Sequence, residues 1–414
     1  MEQFHEALKK FARLAVKTGV NLQPGQGLFL TSPVEAAPFA HLVAEEAYRA
    51  GAKDVTMRWG DDETDRLRLE HAPEEILKQV PEWKFVAQNA AVKDNYAVLH
   101  IYGPNPDLLD QIDGARVGTF MKAMNNGLKP YMECIMKDET QWSIIAYPTK
   151  AWAVKVFPDK KEEEAQRLLM EEILRISRVS GSDDPVAAWD AHNEIMHKAS
   201  DFMNRKKFKQ LIYRAPGTDL TIDLPEGHIW SGGSGPSTAG IYFNANIPTE
   251  EVFTLPHKRG VNGTVASTMP LNANGQIIDH FSLTFKEGEV IDFKAEKGEE
   301  ALKHLLDSDP GACRLGEVAL VPHNSPVSQS GLVFFNTLFD ENASCHLALG
   351  KAYPTCIKGG NALDEAGLDK AGVNDSLIHE DFMVGSAELD IDGLTEDGIY
   401  VPVFRKGAWA FSFD

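Results

Sequence analysis

Four short segments carry side chains able to do chemistry: PTEEVFTLP (248–256), LGEVALVP (315–322), FDENASCHLALGKAYP (339–354) and LIHEDFMVGS (377–386). Alternate side chains of a strand share a face, so His379 and Asp381 point one way and Glu380 and Phe382 the other. Imidazole beside carboxylate is a usual metal-ligand pair, although a surface hydrogen bond is the commoner use of His-x-Asp. Glu317 lies in a strand-like run and is expected to share a face with Leu315 and Ala319. Burying a carboxylate without a partner is costly. The partner is a lysine or arginine, or a metal ion, and the segment alone does not choose. Glu250 and Glu251 stand where a turn enters a strand, so only one can face inward; taken alone, two solvated glutamates is the simpler reading. His346 lies among Ala343, Leu347, Ala348 and Leu349, surroundings in which a lone histidine is ordinarily a satisfied core residue. Tyr353 before Pro354 reads by itself as a packed ring ahead of a turn.

Together the segments say more. Two histidines and at least three carboxylates sit in short apolar runs without an obvious lysine or arginine partner nearby. That set suits one or two divalent ions with mixed nitrogen and oxygen ligands. There is no HExxH, so a single-zinc site on one helix is not indicated, and no GxSxG. SGGSGPSTAG (231–240) lacks the GxxxxGK[ST] pattern and reads as a flexible turn. Cys134, Cys313, Cys345 and Cys356 show no CxxC spacing and do not form a disulfide scaffold. Cys345 faces away from His346 if the segment is extended, and reads as core.

These segments must be held by a fold. The first half alternates strand and helix patterns: strands at 27–33, 54–60 and 96–104, helices at 38–51, 158–181 and 184–207. Such alternation predicts a parallel α/β sheet with helices on its faces. After about residue 208 the texture becomes short β-rich runs divided by Gly, Pro and Asn, with GEEALKHLLDSD the clearest helical signal. The expectation is an α/β N-terminal domain over 1–207 and a mainly β, α+β C-terminal domain over 208–414 that carries the candidate metal ligands.

The formal charge of −20 over 414 residues makes nucleic acid and anionic membrane improbable partners. The N-terminal MEQFHEALKKFARLAVKTG is an amphipathic helix pattern without the apolar core of a signal peptide. No run of about 18 apolar residues occurs. These features predict a soluble cytoplasmic protein.

NIPTEEVFTLPHKRGVNG, LGEVALVP, GLVFFNTLFDENASCHLALGKAYP and NDSLIHEDFMVGS, in that order, resemble the aminopeptidase T family of dinuclear metallo-aminopeptidases, which includes aminopeptidase S and PepS. The resemblance implies that Glu251, Glu317, Glu341, His346, His379 and Asp381 fall on metal-site positions and Tyr353 on a catalytic tyrosine. It implies two divalent ions per chain (zinc, cobalt or manganese), peptide substrates with a free N-terminus, removal of N-terminal residues by metal-activated water, and a homodimer. Glu317 is then a ligand, a proton relay or both, and Tyr353 donates to the oxyanion. A non-catalytic metal-dependent binding or assembly protein, or a hydrolase of a non-peptide amide, are the alternatives the residues leave open.

Overall fold

The computed structural model describes residues 2–273 and 276–412. The chain forms two compact units, Met1–Ala191 with Ser234–Pro248, and His192–Gly233 with Thr249–Asp414. The expected division at 207/208 falls at the end of the helix Pro185–Lys206, whereas the compact units part within that helix.

The first unit is α/β. Gly27–Pro33, Asp54–Gly60, Ala97–Tyr102 and Trp142–Ala146 are parallel strands, with Gly27–Pro33 central between Asp54–Gly60 and Ala97–Tyr102. Asn246–Ile247 adds a short parallel strand beside Trp142–Ala146. Leu28, Phe29 and Leu30 are all buried, as expected of a central parallel strand covered on both faces. The helical patterns are realised as Ala37–Arg49 and Glu162–Ile176, and the N-terminal pattern as Glu2–Leu14, which buries Phe11, Ala12 and Leu14.

The second unit is built from antiparallel sheets. One has nine strands, among them Gln210–Ala215, Thr218–Asp223 and Gln276–Lys286. The other has five, in the order His379–Met383, His346–Gly350, Leu315–Leu320, Val252–Thr254, Ser231–Gly232. Part of the expected flexible turn at 231–240 is thus an edge strand. One apolar core unites the two sheets: Leu315, Val318, Leu320, Leu347, Leu349 and Phe382 from the five-stranded sheet, with Leu211, Tyr213, Leu220 and Ile222 from the larger. Each such side chain contributes about 1.5–3 kcal/mol on full burial. The helix Glu299–Leu306 packs Leu302, Leu305 and Leu306 into the same core.

Candidate metal centre

The register of the five-stranded sheet decides which polar side chains meet. Glu317 is paired with Ala348, and Ala348 with Asp381, so the three lie in one row across the sheet. His346 is two residues before Ala348 and His379 two residues before Asp381, which places both on that face. Phe253 is paired with Ala319, itself paired with His346, and Glu251 precedes Phe253 by two, so Glu251 approaches from the same side. Leu347, Leu349 and Phe382 alternate to the opposite face and enter the core. The apolar face fixes the register, and the register assembles the polar face.

One expectation is corrected. Leu315 does not share a face with Glu317. The register shifts between them, from Leu315 opposite Leu349 to Glu317 opposite Ala348, which is a bulge at Gly316. A Cβ at Gly316 would stand 2.4 Å from the carbonyl oxygens of both Gly350 and Lys351, so a side chain has no room there. The bulge lets Leu315 enter the core while Glu317 reaches the site.

Two groups of ligand-type atoms result. Glu251, Glu317 and His346 form one, and Glu317, His379 and Asp381 the other, each within a 4.8 Å span. Nε2 of His346 lies 3.2 Å from Glu251 and 3.7 Å from Glu317. Nε2 of His379 lies 3.4 Å from Glu317 and 3.6 Å from Asp381. Glu317 belongs to both groups. Glu341, in the short 3-10 turn Glu341–Ala343, stands outside both and interacts through charge with Glu251, Asp381, His346 and Glu317.

Tyr353 follows the turn that ends the His346–Gly350 strand. That turn needs Gly350: its φ is +101°, and a Cβ would lie 2.2 Å from the carbonyl oxygen of Ile378. The Tyr353 ring meets His379 edge-on at 5.0 Å between centroids, and Phe253 at 6.4 Å. Of the adjacent glutamates, Glu251 reaches His346, while Glu250 lies 3.8 Å from Nε2 of His192. Both are buried, at 5 % and 9 % exposure for Glu250 and Glu251, so neither is a solvated surface glutamate.

The donor set fits divalent cations. Nδ1 of His346 faces the Ser344 carbonyl at 3.2 Å, and Nδ1 of His379 the Lys351 carbonyl at 2.6 Å. A carbonyl can only accept, so Nδ1 carries a proton, and when the ring is neutral its Nε2 lone pair points toward the carboxylates. Lone pair facing carboxylate is repulsive unless a cation stands between them or the ring takes a second proton. Among the described residues, Oδ1 of Asp381 is buried without a hydrogen-bond partner, with Nε2 of His379 3.6 Å away. Four carboxylates carry a charge of about −4, which two divalent ions cancel with both imidazoles neutral.

Without ions the site is electrostatically awkward. Burial, aided by neighbouring carboxylates, pushes the Glu341 carboxyl well above its ordinary value, and burial likewise raises Glu251 and Asp381. Burial opposes charge on Glu317 too, but hydrogen bonding to His346 and His379 draws it down to about 2. His379 gains the proton that burial would deny it, because Asp381 and Glu317 raise it to about 10. A histidine raised on folding contributes stability that is whole below its unfolded value of 6.5 and lost as pH rises through about 10. The raised carboxyls act with the same sign from lower pH; Glu317 opposes them only in acid. Chelated protein is therefore expected to lose thermal stability between pH 6.5 and 10, and His379→Gln to flatten that slope. A chelated wild-type profile that is level over this window contradicts the pairing.

His192, in the helix Pro185–Lys206, and Asn342, beside Glu341 in its 3-10 turn, also meet the segment that leads into Glu251, and no local sequence pattern marks either of them.

The pattern of the thermophilic metalloprotease (M29) family matches residues 4–409. The chain is 54 % identical over 411 residues to "Aminopeptidase 2" of Geobacillus stearothermophilus, covering 99 % of each chain. It is 44 % identical to "Aminopeptidase T" of Thermus aquaticus, over 99 % of this chain and 100 % of that one. Among solved structures, wild-type AmpT from Thermus thermophilus matches with a TM-score of 0.93 at 43 % identity, covering 99 % of this chain and 100 % of the other. With that agreement along the whole chain, and a polar sheet face suited to divalent cations, the protein belongs to the thermophilic metalloprotease (M29) family and is a metallopeptidase.

Proposed function

We propose that this protein is an aminopeptidase that removes N-terminal residues from peptides with two divalent ions held by Glu251, Glu317, Glu341, His346, His379 and Asp381. The observation that carries the reading is the pair of ligand groups sharing Glu317 on one sheet face. Mixed imidazole and carboxylate donors accept zinc, cobalt or manganese. Bound there, such ions supply Lewis acidity for the scissile carbonyl and lower the pKa of water.

The chain's own residues do the rest. The Nδ1 contacts to Ser344 and Lys351 hold both imidazoles in one tautomer and orientation. Burial, reinforced by Glu317, Asp381 and Glu341, keeps the Tyr353 phenol protonated far above neutrality, so it is a donor for an oxyanion. We assign Glu317 the role of shared ligand: a carboxyl drawn to about 2 stays ionised through the neutral range, which suits a ligand better than a proton relay. A free substrate amine could bind one of the ions or a site carboxylate.

That recognition supplies the test. A peptide with a free amine is cut one residue at a time from its N-terminus, and its acetylated twin resists, because acetylation removes the charge and the basic lone pair. Equal cleavage of the two contradicts an exopeptidase. A non-peptide amide hydrolase would instead leave both peptides intact.

We further propose a cytoplasmic homodimer. Four free cysteines accord with a reducing compartment, and no helix among the described residues is long and apolar enough to cross a membrane. The dimer rests on family resemblance. Sedimentation of active enzyme at the 45.7 kDa of one chain contradicts it.

A further inference from the structure

The peptide unit between Thr249 and Glu250 lies immediately ahead of Glu251, and both of its poles are held by side chains from distant segments. Nε2–H of His192 donates to the Thr249 carbonyl at 2.8 Å. The Glu250 N–H donates to Oδ1 of Asn342 at 2.7 Å. Buried backbone groups must be paired, and ordinarily a sheet ladder pairs them. Here the ladder begins only at Val252, so the two side chains take its place. His192 is 8 % exposed and Asn342 not at all.

Asn342 is itself locked. Its Nδ2 donates to the Leu338 carbonyl at 3.0 Å and lies 3.4 Å from Oε1 of Glu341. Its own carbonyl accepts from Oγ of Ser325 at 3.0 Å. One amide side chain thus contacts the backbone that leads into Glu251 and the carboxylate of Glu341, far apart in sequence. Only a side chain with an acceptor and a donor on the same carbon can do both. Leucine has the shape but neither group, and aspartate has no donor.

We propose that His192 and Asn342 are positioning residues: a clamp on the Thr249–Glu250 peptide that fixes Glu251, with Asn342 tying it to Glu341. The clamp rests on the metal-site reading above. Its physical effect is to order two ligand-bearing segments when the protein folds instead of when a cation arrives, so that ordering entropy is not charged against cation affinity. His192 and Asn342 need touch neither ion nor substrate.

The test is the affinity for zinc alone, by competition against a chromophoric chelator on the full-length protein, with the thermal midpoint of the chelated protein measured alongside. His192→Phe removes the donor and keeps a ring; His192→Gln restores an N–H able to reach the Thr249 carbonyl; Asn342→Leu removes both functions of the amide. The Phe and Leu variants are expected to bind zinc about 10–100-fold more weakly, the range for outer partners of metal ligands, and Gln to recover most of the loss. A merely structural role would lower the chelated midpoint and leave affinity unchanged in the folded protein. Wild-type affinity in both the Phe and Leu variants overturns the clamp. If Asn342→Leu does not fold, the two His192 variants decide: equal affinity in Phe, Gln and wild type overturns it, and loss in Phe with recovery in Gln supports it. A wild-type chain that binds no zinc overturns the metal-site reading and the clamp with it, an outcome distinct from a zinc-binding wild type matched by its variants.

Discussion

Tyr353→Phe is expected to lower turnover about 10²–10³-fold while the Michaelis constant and ion content stay near wild type. The hydroxyl is a donor at neutral pH, since burial and the surrounding carboxylates raise its pKa well above the ordinary value. A donor that engages the oxyanion contributes mainly in the transition state, so its removal costs roughly 3–4 kcal/mol of barrier and little ground-state binding. The ring contacts to His379 and Phe253, and the packing beside Leu255, Ala352 and Cys356, survive in phenylalanine. If Tyr353 only fills space, Phe is tolerated and Ala alone does harm, by opening a cavity. Steady-state kinetics on the two variants decide. Near-full turnover in Tyr353→Phe with ions bound removes Tyr353 from the mechanism.

Glu317→Gln carries the larger expected effect on the metal centre. Glu317 is the residue common to the two ligand groups, 3.7 Å from Nε2 of His346 and 3.4 Å from Nε2 of His379. Glutamine nearly conserves volume, so the bulge at Gly316 and the strand pairing stay. It discards the charge and replaces one ligating oxygen by a donor that cannot bind a cation. Both ions should be weakened together, by more than the about 10–100-fold typical of an outer partner. His379→Ala, a member of one group only, should weaken chiefly one ion. Zinc titrations of the two variants separate the cases, and an unchanged affinity in Glu317→Gln contradicts its shared role.

The extent to which the site could be read from sequence varied by residue, for physical reasons. His379 and Asp381 share a face because strand periodicity is local, and so is the alternation of His346 with Leu347. The parallel α/β half was legible because its strands and helices alternate in sequence, and the later β-rich half because its runs are short and cut by turn residues. The bulge at Gly316 was not legible, since it depends on the close approach of Gly350 and Lys351 from another strand. That is why Leu315 was expected beside Glu317 and lies opposite. The choice between Glu250 and Glu251 was hidden for the same kind of reason: Glu250 meets His192 and Asn342, and Glu251 meets His346, all from far along the chain. Glu341 meets the other site residues through charge across distant segments, which local pattern does not encode.

The most direct measurement is the number of ions per chain in active enzyme, by elemental analysis across a zinc titration followed in parallel for turnover. The two ligand groups, and the charge of their three carboxylates with Glu341 beside them, predict two ions at saturation, with turnover rising as the pair fills and lost on chelation. A plateau at one ion per chain with full turnover, or full turnover with none, contradicts a two-ion site.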